Sequence, residues 1–119
     1  MVTNEQHRQV EIAAELDEAA RALAHSTRQV PNPIASYRVL AELGPTVDHL
    51  QQIARQLSAW HRSVVDGREY LGEDENGDGI TGTLEAAEQL EVAAAALDQA
   101  GEALRAAHTA NGVVRWVGE

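Results

Sequence analysis

Apolar residues recur at intervals of three and four along most of this chain, the spacing that places them on one side of an α-helix. Alanine, leucine and valine supply most of the 44% apolar content, aromatic residues amount to 3%, and phenylalanine is absent. Because β-branched and aromatic residues are neither frequent nor arranged in alternation, a β-sandwich or β-barrel is disfavoured. The sequence therefore predicts an all-α fold. In the first segment the periodic residues are Ile12, Leu16, Ala19 and Leu23.

Prolines and glycines divide this helical pattern into four segments. A proline disfavours the α conformation in the residue before it and cannot donate a backbone hydrogen bond, so helices are expected to end near these residues. We expect an antiparallel helical bundle of three long helices and one short helix. The predicted helices run from Thr3 or Asn4 to before Val30-Pro31, from Asn32-Pro33 to Gly44-Pro45, from Thr46 to Asp66-Gly67, and from Thr81 or Thr83 to Asn111-Gly112.

The last predicted helix carries one continuous seam. Glycine in a helix interior costs about 1 kcal/mol relative to alanine, so the position of Gly101 in this seam predicts the close approach of a neighbouring helix. The 119 residues are predicted to form a single domain, 1–119, with an acidic loop at about 67–82 and an apolar tail at 113–119. We expect the tail to lie on the bundle or on a second subunit. The seam consists of Leu90, Ala94, Leu97, Gly101, Leu104 and His108.

Charge and composition limit the partners of the chain. Nine basic residues against 19 acidic residues give a formal charge of −10, which opposes direct binding to a nucleic-acid backbone. Cysteine is absent, so disulfides and thiolate chemistry are excluded. The first residues lack the basic and apolar parts of a signal peptide, and no run approaches the roughly 18 apolar residues of a membrane span. We expect a cytoplasmic protein that does not enter a membrane.

The segment from Asp74 to Glu85 matches the calcium-loop pattern D-x-[DN]-x-[DN]-G-x5-E. It resembles an EF-hand or dockerin-type loop, although Thr81 stands where that family carries isoleucine, leucine or valine, and there is no second loop. The resemblance implies a sharp turn at Gly79 and calcium as a cofactor, and the alternative is a solvated acidic loop. The ligands that the resemblance implies are Asp74, Asn76 and Asp78, the backbone carbonyl of Ile80, and a bidentate Glu85.

Between Arg68 and Arg105 every charged side chain is acidic. At about 100° per residue, four of these acidic residues fall on one side of the last helix, beside its leucine seam. Such a stripe is a candidate surface for a basic partner protein, including an inhibitor that imitates DNA phosphates. The alternative is a solvated surface that keeps a small protein soluble. The stripe consists of Glu88, Glu91, Asp98 and Glu102.

One longer stretch also resembles known proteins. Residues 15–25, followed by Pro31 and Pro33, are similar to small uncharacterised alanine-rich helical proteins of actinobacteria and their phages or mobile elements. This resemblance implies no activity. Secreted WXG-type helical hairpins have a similar length, but the residues Trp116-Val117-Gly118 lie at the chain end and not at a hairpin turn, so we reject that assignment.

The sequence contains no recognisable catalytic constellation. There is no H-E-x-x-H pattern, and Ser58 and His61 come without an oxyanion hole or a nucleophile elbow. The leading hypothesis is a non-enzymatic interaction or adaptor protein that self-associates. Trp60 and Trp116 are the expected apolar contacts with its partner.

Overall fold

The computed structural model describes residues 8–64 and 79–115, and these residues form three α-helices without any strand. The all-α prediction is confirmed for this part of the chain. In chain order the helices are α1, Gln9–Ser26, α2, Pro33–Ser63, and α3, Ile80–Asn111.

Helix α1 lies apart from the rest of the molecule. All of its residues are exposed, and it contacts neither α2 nor α3. The hydroxyl of Thr27 closes the helix by donating a hydrogen bond of 2.9 Å to the carbonyl of Leu23. The predicted N-cap at Thr3 or Asn4 lies outside the described residues. Helix α1 therefore presents its apolar side chains, which include Ile12, Leu16 and Leu23, to solvent.

Helix α2 begins where the local sequence predicts. The side chain of Asn32 accepts a hydrogen bond of 2.9 Å from the backbone nitrogen of Ala35, and Pro33 occupies the first helical position. Proline is favoured there because its missing N–H would have no partner in the first turn and its φ angle is already helical. The predicted helix start is confirmed.

The predicted helix boundary at Gly44-Pro45 is wrong, because α2 continues through it for 31 residues. A proline clashes with the Cβ of the residue before it when that residue is helical, and Gly44 has no Cβ. Gly44 is also buried, and a Cβ built there would lie 3.8 Å from Cγ of Arg105 on α3. Directly after Pro45, the hydroxyl of Thr46 donates to the carbonyl of Glu42 at 2.8 Å. The predicted short and third helices are thus one helix.

Helices α2 and α3 form a hairpin and pack along their length, and this is the only packing between helices in 8–64 and 79–115. Residue numbers rise along α2 as they fall along the facing side of α3, so the two helices run in opposite directions. Because α1 stands away from the hairpin, the described residues do not form the predicted four-helix bundle. The contacts join Pro33 to Asn111, Tyr37 to His108, Asp48 to Arg105, Ser58 to Ala87, and His61 to Thr83.

The seam between the two helices is lined by small side chains. Ser58, Ala87 and Ala94 are fully buried, and Ser58 has the largest fully buried side chain among the described residues. Small residues allow two helix backbones to approach closely, whereas leucines hold them farther apart. A Cβ added at Gly101 would lie only 3.3 Å from the carboxylate of Asp48, so the predicted close approach there is confirmed. The buried residues of the seam are Gly44, Ala54, Ser58, Ala87, Ala94 and Gly101.

Candidate interaction surface

One side of the hairpin carries the charges, and we call it the charged face. Arg55 approaches Glu91 with a distance of 3.4 Å between Nη1 and Oε1, and Arg105 approaches Asp48 with 3.1 Å between Nη1 and Oδ2. Both pairs link α2 to α3 across this face and are about half exposed, so each contributes at most about 1 kcal/mol. Helical geometry at about 100° per residue places these residues together: Asp48, Arg55 and Arg62 on α2, with Glu88, Glu91, Asp98, Glu102 and Arg105 on α3.

The opposite side of the hairpin is apolar along both helices, and we call it the apolar face. The same geometry shows that the acidic residues and arginines of α3 lie away from it, and on α2 only Glu42 reaches its margin. Apart from Glu42, the two faces therefore separate charged side chains from apolar side chains along the hairpin. The apolar face consists of Val39, Leu43, Leu50, Ile53, Leu57 and Trp60 on α2, and of Ala86, Leu90, Ala93, Leu97, Ala100 and Leu104 on α3.

The apolar face is most exposed towards the C-terminal end of α2. Ile53, Leu57 and Trp60 retain 45%, 47% and 49% of their accessible surface. Burying a large apolar side chain completely stabilises a protein by about 1.5–3 kcal/mol, so roughly half of that gain is unused at each position. A contiguous apolar surface of this kind is a candidate site of interaction with another polypeptide.

Polar contacts close the hairpin where α2 ends and α3 begins. The Nδ1 atom of His61 lies 2.7 Å from Oγ1 of Thr83, and the same hydroxyl lies 3.3 Å from the carbonyl oxygen of His61. Further along, the hydroxyl of Ser58 donates to the carbonyl of Ala87 at 3.0 Å. Ser58 and His61, the nearest approach to a catalytic grouping in the sequence, thus hydrogen-bond across the seam.

The other end of the hairpin is closed by an aromatic stack. The rings of Tyr37 and His108 lie 4.0 Å apart between centroids and nearly parallel, and the side chain of Asn111 donates to the carbonyl of Pro33 at 3.0 Å. Nε2 of His108 is buried and has no hydrogen-bond partner among the described residues. A shallow hollow beside the stack is lined by Pro33, Ile34, Tyr37, Asn111, Gly112, Val114 and Arg115.

The predicted acidic stripe lies on the charged face. Glu88, Asp98 and Glu102 are exposed, whereas Glu91 is partly covered and paired with Arg55. Arg105 adds a second positive charge to the same face through its pair with Asp48. The face that carries the four carboxylates is therefore mixed in sign, although the helix itself is acidic from 85 to 102.

The predicted calcium ligands Asp74, Asn76 and Asp78 lie outside the described residues. Gly79 has a φ angle of 79°, the left-handed conformation that a sharp turn in such a loop requires. Helix α3 begins directly afterwards at Ile80. One turn of an α-helix takes about 3.6 residues, so the first turn ends at Thr83. Glu85 consequently lies in the second turn of α3, because the helix begins earlier than the predicted Thr81 or Thr83. Within 8–64 and 79–115 no three histidine, aspartate or glutamate side chains are grouped to hold a metal.

The two predicted tryptophan contacts have different outcomes. Trp60 lies on the apolar face, with its ring edge-on to His61 at 4.9 Å between centroids. Trp116 lies outside the described residues. Of the predicted apolar tail, Val113 and Val114 are exposed, and Val114 lines the hollow beside Tyr37.

Sequence reasoning missed the apolar face as a surface. The signal was the width of the apolar arc on α2, which runs from the buried Ala54 round to Trp60. One neighbouring helix covers only a narrow stripe, so an arc this wide leaves apolar side chains uncovered by α3. The leucine seam predicted for α3 is likewise only partly buried, because Ala87, Ala94 and Gly101 form the actual contact.

The chain matches no protein-family model, and comparisons with curated proteins and with solved structures find no significant match. None of the described helices combines the length and the apolar character that are needed to cross a bilayer.

Proposed function

We propose that this chain is a non-enzymatic helical interaction protein that self-associates through the apolar face of the hairpin. The observation that carries the proposal is the exposure of Ile53, Leu57 and Trp60 beside a seam that buries only small side chains. Two helices joined by such a seam bury little apolar area, and small helical units commonly depend on association for a sufficient core. A cytoplasmic location belongs to the same proposal.

Segregation of charge supports the apolar face as the contact. Charged residues are depleted at the centres of protein interfaces because their desolvation is costly. In this hairpin the arginines and carboxylates of the charged face point away from the apolar face, where they keep the assembly hydrated. The exposed apolar side of α1 adds a second surface that could take part.

We expect wild-type protein to sediment at twice the mass of one chain, and Leu57→Glu to weaken the association at least ~100-fold. The reason is that a carboxylate buried at an interface without a partner costs about 3 kcal/mol or more. Analytical ultracentrifugation over a range of protein concentrations measures both values, and circular dichroism reports whether the variant keeps its helices.

The matched control is Gln52→Glu, which places the same charge on an exposed residue about one and a half turns earlier on α2. This variant should associate like the wild type, because Gln52 lies on the side of α2 that faces away from Leu57. At about 100 μM protein, a dimer with a dissociation constant below this concentration would be visible by sedimentation. A wild-type chain that is still a monomer at that concentration would exclude the proposal.

Calcium binding at 74–85 is a second candidate, and the left-handed Gly79 is the observation that favours it. In that function the ion would hold the acidic segment ahead of α3 and cancel repulsion among its carboxylates. It would stabilise the hairpin end and would not by itself create a partner surface. The early start of α3 at Ile80 is the feature that such binding would have to alter.

Titration calorimetry with calcium tests this second function. We expect one ion per chain for the wild type, with loss of the binding heat in Asp78→Ala, because Asp78 supplies one of the predicted oxygen ligands. Asp98→Ala is the control, since it removes an equal charge from the exposed charged face. Heat that is absent, or that survives Asp78→Ala, excludes the calcium site.

An acidic inhibitor or DNA mimic remains a third prediction for the charged face. Its support is the exposure of Glu88, Asp98 and Glu102 together with the net charge of −10. The arginines on the same face reduce the resemblance to a phosphate backbone, in which every group is negative. Self-association accounts for more of the described surface.

A further inference from the structure

We infer that the partner of the apolar face is a second copy of this chain, packed face to face so that the two hairpins run antiparallel. The inference rests on the proposed self-association and adds its geometry. The two-fold axis lies in the interface, perpendicular to the helices, at the level of Leu50. In this arrangement α2 packs on α2 of the partner, and α3 packs on α3.

The available area suits a stable dimer. Helix α2 has 31 residues, so the hairpin is ~46 Å long and, at ~10 Å for each helix, presents ~900 Å² on one side. A standard protein interface buries about 800 Å² from each partner. One side of the hairpin is therefore large enough for a specific complex between two copies.

The described helix α1, Gln9–Ser26, is shorter than this face. Its 18 residues span ~27 Å, and it is tied to α2 at Pro33 by the short connection 27–32. Folded back on the hairpin, it would end about 18 residues along α2, before Ile53, Leu57 and Trp60. The described part of α1 would thus leave the most exposed large side chains open, whereas a second hairpin reaches all of them.

The side chains of α2 match under the proposed two-fold axis. An axis at Leu50 brings that residue opposite its own copy. It brings Leu43 opposite Leu57 of the second copy, because both lie seven residues from Leu50. By the same operation Trp60, ten residues from Leu50, lies one residue out of register with Val39 of the second copy, an offset of ~1.5 Å along the helix. These large apolar residues of α2 therefore meet one another and not gaps.

The side chains of α3 match under the same axis, which gives an independent check. The contact between Ser58 and Ala87 and the stack of Tyr37 on His108 fix the alignment of the helices, so the level of Leu50 corresponds to residue 95 on α3. An axis at residue 95 pairs a leucine with an alanine at each of three levels, so that each leucine of α3 meets a small side chain that leaves room for it. The pairs are Leu90 with Ala100, Leu97 with Ala93, and Leu104 with Ala86.

Charge decides between the antiparallel and the parallel arrangement. The segment 65–78, which joins α2 to α3, contains six acidic residues and one arginine. A parallel dimer would place both copies of this segment at the same end, where like charges repel. The antiparallel dimer separates them by the length of the hairpin.

Pulsed electron paramagnetic resonance between spin labels tests this geometry. The chain has no cysteine, so single labels can be attached to the exposed residues of α2 in His49→Cys, Gln56→Cys and Ser63→Cys. In the antiparallel dimer the separation of two equivalent labels along the helices grows by about 3 Å per residue from Leu50, twice the helical rise. We expect a short distance for 49, with ~18 Å of axial separation for 56 and ~39 Å for 63.

The outcomes separate this inference from the proposed function. Distances that increase in the order 49, 56, 63 support the antiparallel dimer. Equal distances for the three labels in a protein of dimeric mass overturn the antiparallel geometry and leave self-association intact. A monomeric mass with no dipolar coupling overturns both, whether α1 or an unrelated protein covers the face.

Discussion

Replacing Ala94 by leucine is expected to lower the free energy of unfolding by about 2–3 kcal/mol. Ala94 is fully buried at the centre of the seam, between Ala87 and Gly101, each seven residues away. Three additional heavy atoms at this position must push α2 and α3 apart, and overpacking of a closed contact typically costs about 1–3 kcal/mol. Denaturant titration followed by circular dichroism at a fixed protein concentration measures the change.

Ala95→Leu is the matched control for this experiment. Ala95 is exposed on the same helix turn, so the same enlargement meets solvent there. Leucine and alanine differ little in helix propensity, and this variant should remain within about 0.5 kcal/mol of the wild type. Equal stabilities for the two leucine variants would contradict a seam that passes through Ala94.

Replacing Pro45 by alanine is expected to raise the free energy of unfolding by about 2 kcal/mol. Pro45 is exposed within the continuous helix α2, where it removes a backbone hydrogen bond and clashes with the preceding turn. Proline costs about 3 kcal/mol relative to alanine in a helix interior. Loss of its restriction on the unfolded chain returns up to about 1 kcal/mol in the other direction. Chemical denaturation and the helical signal at 222 nm report the gain.

Pro31→Ala provides the comparison, because Pro31 is exposed in the connection between α1 and α2, outside any helix. No helical hydrogen bond is recovered there, so we expect little change or a small loss of stability. If Pro45→Ala behaved like Pro31→Ala, the chain would break at Gly44-Pro45 after all, as the sequence pattern alone suggests.

Local chemistry predicted the start of α2 and the end of α3, and packing decided the boundary that it predicted wrongly at Gly44-Pro45. The cap at Asn32-Pro33 and the stop at Asn111-Gly112 depend on residues next to one another, so the sequence contains the whole signal. Continuation through Pro45 depends on Gly44, which lacks a Cβ and lies against α3. A sequence rule that considers only proline does not include that contact. Helical spacing likewise predicted which side of α3 faces inward. Whether the leucines or the alanines on that side contact α2 depends on the facing helix.

The candidate surfaces were predictable to different degrees. The four carboxylates of the predicted stripe do lie on one face, because their spacing fixes their direction from the helix axis. The neighbouring positive charges could not be predicted from this spacing. Arg55, which pairs with Glu91, belongs to a different helix, and Arg105, which pairs with Asp48, lies at the margin of the stripe. To predict that the apolar face is exposed, one must know that α1 does not cover it. The periodicity within a single helix does not give that information.

The seven-residue spacing of Ala87, Ala94 and Gly101 has a consequence for how the chain can vary in evolution. A single residue inserted between Ala87 and Gly101 would turn the rest of α3 by about 100°. Glu102 would then rotate relative to α2, and the leucines beyond it would leave the apolar face. Many substitutions on the outer surface would be tolerated, but changes in helix length would not. Insertions and deletions in related chains should therefore be confined to the connections between helices.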